Sequence, residues 1–294
     1  MQVARMKLKF EIGKHQQFYG LTIQDTGGTT ATIKDILPEV NNAKRTAQPL
    51  SALNVALQCG GSDGYSGITA NPALGVASDL EVGHGGRVIL AETPEIYGAE
   101  QQLLDRVNNV ETGAKLVAQL RWWEDYTSMH GGSLDNNPTP GNKAGGLATI
   151  LEKSLGAVAK SGSTSLNEVV AYGQKPRKAG LIFMDTPGYD PVSVTGQIAG
   201  GAQIVVFTTG RGSAFGSKPA PTIKLATNDQ LLAKMPDDMD INCGDIATNG
   251  VPLAQKGAQI LDYIIETASG RATKSETLGL GDHEFVPWQL GAVM

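Results

Sequence analysis

The chain has 294 residues, 40% hydrophobic and 18% charged, a balance that can bury a core and that excludes intrinsic disorder. A formal net charge of -5 with no cluster of five Lys and Arg excludes the electrostatic footprint of a nucleic-acid binder, and no apolar run reaches the roughly 18 residues needed to span a bilayer. Two cysteines exclude a disulfide framework and read as reduced thiols; with a charged N-terminus that lacks an apolar stretch, they predict a cytoplasmic protein.

Residues 1–50 read as a lead-in segment and 51–294 as the main domain. In the lead-in, Leu8, Phe10 and Ile12 alternate with charges as in a half-buried strand, Thr26–Thr29 is a turn, and Thr32–Val40 predicts a short helix stopped early by Pro38. A regular alternation then begins. Leu53–Gln58 is a strand ending in the loop Cys59–Asp63, and Pro72–Val82 is a helix closed by Gly83–Gly86. Arg87–Ala91 is a strand ending in Glu92–Glu95, and Ile96–Trp123 is helical, with Trp122, Trp123 and Tyr126 as core packing. Leu181–Met184 is a strand followed by Asp185–Asp190 and a helix over Val192–Ala199. Gln203–Phe207 and Thr222–Ala226 are two more strands. Short apolar strands alternating with helices predict an α/β fold, a mainly parallel sheet covered by helices on both faces. The 37 glycines predict many tight strand-to-helix loops.

In every unit the polar residues follow the carboxyl end of the strand, the edge where open α/β sheets bind ligands. Cys59, next to Gly60 and Gly61, reads either as an inert buried thiol or as a metal ligand, with Ser62 and Asp63 in the same turn. Glu92 and Glu95 flank Pro94. Capping of the next helix would account for one carboxylate, whereas two suit a divalent cation or acid–base work. Lys143, held between Pro140, Gly141, Gly145 and Gly146, is a candidate substrate-carboxylate ligand or base. Thr208–Gly216 matches no nucleotide-binding pattern and reads as an anion cradle of backbone N–H groups with Arg211. Asp190 belongs to a set of aspartates that could include metal ligands. The four histidines have no paired spacing, which argues against a histidine-rich zinc site.

Six segments carry a resemblance: LQCGGSDGYSGITANPALG, ETPEIYGAE, NNPTPGNKAGGL, EKSLGAVAKSG, MDTPGYDPVSVTGQIAGGA and FTTGRGSAFGSKPAPTIKLATN. Together, in this order, they resemble the altronate/galactarate dehydratase family from about Leu53 to Met294, and the terminal DHEFVPWQLGAVM looks like its altronate-type branch. The resemblance implies a Rossmann-like variant of the α/β fold and a metal-dependent hydro-lyase. Such an enzyme would convert a sugar acid, D-altronate above all, to 2-dehydro-3-deoxy-D-gluconate and water, with Fe2+ or a related cation such as Mn2+ as cofactor. Galactarate is the alternative substrate, a sulfolactate sulfo-lyase subunit the alternative on the same scaffold, and a non-catalytic remnant the third reading. The family's upstream β-rich domain has no counterpart here, so a small subunit resembling it is an expected partner, alongside the sugar acid and a homo-oligomeric assembly. On this basis Cys59, Asp63, Glu92 and Asp190 are expected around the metal, Glu95 and Lys143 as catalytic groups, and Ser62, Asn142, Thr208, Thr209 and Arg211 at the substrate.

Overall fold

The structure, a computed structural model, describes residues 22–42, 44–289 and 291. The strand expected around Leu8, Phe10 and Ile12 lies outside the described residues. The chain divides into two compact units, Met1–Gln48 and Pro49–Met294. In the first, helix α1 spans Thr29–Val40 with Pro38 inside it, where an early stop at Pro38 was expected. Proline removes one N–H donor from the last turn, and the Asn41 N–H still bonds the Leu37 carbonyl.

The second unit is built on seven strands: β1 Asn54–Cys59, β2 Arg87–Leu90, β3 Leu166–Val170, β4 Gly180–Met184, β5 Ile204–Thr209, β6 Thr222–Ala226 and β7 Ile241–Asn242. All pair in parallel in the order β3-β4-β2-β1-β5-β6-β7. The helices are α2 Ala70–Gly83, α3 Gln101–Leu104, α4 Val110–Met129, α5 Pro140–Ala144, α6 Ile150–Ala159, α7 Asp190–Ala199, α8 Asp229–Lys234, α9 Asp245–Asn249, α10 Leu253–Ala268 and α11 Lys274–Thr277. No helix among the described residues is long and apolar enough to cross a membrane.

Side-chain alternation sorts the sheet into two cores. Val55, Leu57, Val88, Leu90, Leu181, Phe183, Ile204 and Val206 face α2, α4, α6 and α10, which contribute Leu74, Leu116, Val158 and Ile260. Ala56, Ile89, Ile182, Met184, Val205 and Phe207 face the other way, where Val194 of α7 and the loop residues Phe215 and Ala220 cover them. Burial on both faces is why β4 and the first four residues of β5 read as apolar runs, whereas β6 buries Thr222 and Lys224 among its apolar residues.

Three expectations need correction. The helix expected over Ile96–Trp123 is broken: Thr93–Ile96 is a 3-10 turn, α3 is one short turn, and α4 starts only at Val110. Asn109 ends the gap by accepting the Thr112 N–H at 2.9 Å, a side-chain cap that competes with continued helix. β3 is a strand the sequence reading lacks, because Asn167 and Glu168 interrupt its apolar pattern at a register shift on the sheet edge. Trp122 is exposed, whereas Trp123 and Tyr126 are buried as expected.

Strand order places the switch in winding direction between β1 and β5, where the loops after the two strands are tied together. The Gly60 N–H bonds the Thr208 carbonyl at 3.1 Å, and the Gly210 and Arg211 N–H groups both bond the Gly61 carbonyl at 3.1 Å.

Candidate functional site

Two strand ends at the carboxyl edge of the sheet, those of β1 and β2, bring a thiol and two carboxylates together. Cys59 ends β1, Glu92 follows β2 by two residues, and Glu95 lies in the 3-10 turn after it. One ligand atom from each lies within 4.8 Å of the other two, and all three residues are buried. The Cys59 thiol donates to Glu95 Oε2 at 3.2 Å. Two lysines, one inside α6 and one at its C-cap, complete the group. Lys153 Nζ pairs with Glu95 Oε1 at 2.7 Å and also donates to the Asn137 side chain, and Lys160 Nζ donates to Cys59 Sγ at 2.8 Å. Seven residues apart, they project from one face of α6 into the group. Lys160 is among the largest fully buried side chains of the protein.

Electrostatics divides the two glutamates. Burial pushes the Glu92 carboxyl well above the ordinary carboxylate range, and the neighbouring Glu95 charge adds to this against the pull of Lys160. Burial acts on Glu95 too, but the Lys153 and Lys160 ammonium groups overcome it and hold that carboxyl below its ordinary value. Burial also raises the Cys59 thiol, with Glu95 adding to the rise, which agrees with a neutral thiol that donates to Glu95. Both lysines remain charged because the anionic partners outweigh the burial that opposes them.

Glu92 is the one non-glycine residue among the described ones with a left-handed backbone, at φ 71°. Such a conformation costs on the order of 1–3 kcal/mol and persists where the surroundings hold it. Its side chain makes no capping bond, and both its oxygens are buried with no hydrogen-bond partner. A carboxylate aimed into a buried group and left without a donor fits a cation, and the donor set of one sulfur and carboxylate oxygens suits a borderline-soft divalent ion such as ferrous iron. Asp190, the first residue of α7, adjoins the group. Its Oδ1 accepts from Gln58 Nε2 at 2.9 Å, and burial raises its carboxyl to about 7. Gly60 makes room for it, since a Cβ there would lie 2.3 Å from Asp190 Oδ2.

The other expected site residues lie elsewhere on the same edge. Asp63 is outside the thiol–carboxylate group. Its Oδ1 accepts from Ser66 and Thr227, each at 2.9 Å, and its Oδ2 accepts from Asn228 at 3.0 Å, so it locks the loops after β1 and β6 together. Asn142 caps α5 and donates to the Ser62 carbonyl at 3.0 Å. The Thr208 hydroxyl donates to Asn71 at 2.6 Å, and Thr209 Oγ1 accepts the Gly212 N–H at 3.1 Å, so both hydroxyls are engaged within the fold. Lys143 is exposed on α5, and the lysines that contact the thiol–carboxylate group are Lys153 and Lys160 instead. Arg211 is exposed and lies over Gly141, where a Cβ would approach its guanidinium to 2.0 Å. It lines a cavity of about 500 Å³ together with Tyr65, Gly145, Asn228 and Lys234. Sequence reasoning missed Lys153, Lys160 and Gln58. The available signal was the i, i+7 spacing of Lys153 inside α6 and Lys160 at its C-cap, which puts both on the same side of the helix.

Residues 50–293 match the family model described as D-galactarate/Altronate dehydratase, C-terminal. The chain is 44% identical over 245 residues to the galactarate dehydratase (L-threo-forming) of Escherichia coli K12, covering 83% of this chain and 47% of that protein. It is 41% identical over 246 residues to the altronate dehydratase of Bacillus subtilis 168, covering 84% and 49%. It is 31% identical over 256 residues to the (2R)-sulfolactate sulfo-lyase subunit beta of Chromohalobacter salexigens, covering 86% and 65%. The chain thus spans about half the length of the two dehydratases.

Proposed function

Because this chain belongs to the D-galactarate/altronate dehydratase family, through that family's C-terminal region, we propose that it is the catalytic portion of a metal-dependent hydro-lyase. Its substrate would be a sugar acid, D-altronate first and galactarate second, dehydrated to a 2-keto-3-deoxy acid. The observation that carries this reading is the buried Cys59–Glu92–Glu95 group with its two lysines.

The reaction sets the requirement. Removing the proton next to a carboxylate builds a dianionic enediolate, so the site must supply concentrated positive charge where water is excluded. Cys59 and Glu92 would hold the divalent cation, with Asp190 close by. When bound, the cation supplies Lewis-acid stabilisation of that charge and assists loss of the hydroxyl. The Lys153 and Lys160 ammonium groups add two fixed positive charges within the same dry group. Glu95, kept ionised by those lysines, is the proton acceptor. Its Oε2 accepts a hydrogen bond from the Cys59 thiol and would be free of it once Cys59, its proton released to solvent, held the cation as a thiolate. Arg211, whose side chain is open to the cavity at the β1–β5 switch, is the candidate ligand for a substrate carboxylate.

The test is metal analysis of anaerobically purified protein, joined to keto-acid formation from D-altronate and galactarate. Both are measured with and without a small chain that supplies the upstream β-rich domain. Iron or manganese near one equivalent is expected, and Glu92→Gln should lower metal content about tenfold or more and activity with it. Full metal content and activity in Glu92→Gln would remove the carboxylate from the reaction and the reading with it. The sulfo-lyase relative makes sulfite release from sulfolactate the second assay, and sulfite from sulfolactate with no keto acid formed from either sugar acid would reassign the substrate while keeping the site.

A further inference from the structure

The strained backbone at Glu92 is held by a chain of bonds outside the thiol–carboxylate group. The Glu92 N–H donates to Thr186 Oγ1 at 2.9 Å, and the Thr93 N–H donates to the Thr186 carbonyl at 3.0 Å. Thr93, fully buried, sends its hydroxyl to Asp185 Oδ1 at 2.6 Å. The same Oδ1 accepts the indole N–H of buried Trp123 at 2.8 Å. Trp123 in turn is sandwiched by aromatics. Trp288 stacks parallel to it, with ring centres 5.3 Å apart and planes inclined by 2°, and Tyr126 meets it edge-on at 5.6 Å. The tail that carries Trp288 is fastened at both sides, by Thr195 Oγ1 accepting the Val286 N–H at 3.1 Å and by Tyr126 OH accepting the Gly291 N–H at 2.7 Å.

Asp185 thus ties the turn that carries Glu92 and Glu95 to an aromatic slab made by α4 and the C-terminal tail. A residue at φ 71° without glycine's freedom relaxes unless it is held; Thr186 holds the peptides on either side of it directly, and a further hold from outside the turn runs through the Thr93 hydroxyl to Asp185. We infer that Asp185 is a positioning residue, which through the Thr93 hydroxyl keeps Glu92 in its left-handed conformation and so aims the Glu92 carboxylate at Cys59 and Glu95. The inference rests on the cation-binding reading proposed above only for its functional consequence; the backbone consequence is independent of it.

Two variants separate the possibilities. Asp185→Ala removes the acceptor, and Thr93→Val, isosteric with threonine, removes the donor and serves where Asp185→Ala fails to fold. Asp185→Asn keeps an acceptor oxygen for both donors and is the control. Crystal structures of the full chain should show Glu92 leaving the left-handed region in Asp185→Ala or Thr93→Val and keeping it in Asp185→Asn. Anaerobic Co2+ titration, followed by cobalt–thiolate absorption, should show affinity about tenfold weaker in the first two and near that of the unmodified chain in the control. A Glu92 backbone unchanged in both Asp185→Ala and Thr93→Val would overturn the inference, and so would Co2+ affinity unchanged in both. If the unmodified chain binds no Co2+, the cation reading fails instead, and the Glu92 backbone alone decides the role of Asp185.

Discussion

Glu81 lies in the last turn of α2 with its residue 1% exposed and neither carboxylate oxygen hydrogen-bonded. It is pressed against Gly86, where a Cβ would fall 1.9 Å from its Oε1. Burial raises this carboxyl to about 7 from an ordinary 4.5. A raised folded-state value means the protonated form is favoured by folding, so the contribution is intact below about 4.5 and is lost as pH rises through about 7. The loss is at most about 3 kcal/mol, from the 2.5-unit displacement. Glu81→Gln should flatten that slope, and denaturant midpoints of both proteins at about pH 5 and about pH 8 would show it. An equal pH dependence in the two would place Glu81 in water. At this scale the sequence is legible where chemistry follows a strand. Cys59, Glu92, Glu95 and Asp190 all lie at or just beyond strand ends on that edge and do converge. It is less legible where polar side chains serve the loops themselves, as with Asp63, Asn142, Thr208 and Thr209, because a hydroxyl that locks a loop and one that waits for a ligand are the same residue type. Lys153 and Lys160 escape notice because a helical lysine normally points to water. Only the partners across space, set by how α6 docks, turn them inward.

Between elements, the glycines divide by purpose. Some do build the expected turns, such as Gly61 and Gly212 with positive φ beside the β1–β5 junction. Others sit inside helices to let them touch. A Cβ on Gly75 of α2 would lie 2.3 Å from the Ala159 carbonyl oxygen and 3.1 Å from the Gly162 nitrogen, and one on Gly257 of α10 would meet Val76 Cβ at 2.5 Å. Gly67 and Gly156 likewise approach each other too closely for side chains. Replacing Gly75 by Ala gains about 1 kcal/mol of helix propensity but forces backbone against backbone, which costs about 1–3 kcal/mol and also displaces α6. Gly75→Ala should therefore lower stability and weaken Co2+ binding through the misplaced lysines, as measured by unfolding midpoint and titration together. A gain in stability would mean that the α2–α6 contact is looser than the structure has it. Glycine abundance is plain in the sequence, but a helical glycine that admits a neighbour looks the same as one that weakens a helix. Of the strands buried on both faces, β4 and most of β5 were readable from their apolar runs. The edge strands β3 and β7 were not, since the interrupted pattern of the first and the two residues of the second carry little signal.

At the scale of the molecule, the unit Pro49–Met294 holds the whole sheet, both cores and the thiol–carboxylate group. A unit with its own core folds as a unit, so a fragment spanning 49–294 should unfold in a single cooperative transition with its Co2+ site intact. A fragment that is molten or insoluble would assign residues 1–48 a share in folding. The two margins of the sheet have a further effect. One ends in a strand of two residues and the other carries a register shift, so neither presents a long, straight row of unpaired backbone groups. Neighbouring copies therefore find little to template on, and crowding at high expression should drive this protein toward fibrillar stacking far less than its seven-stranded sheet alone would suggest.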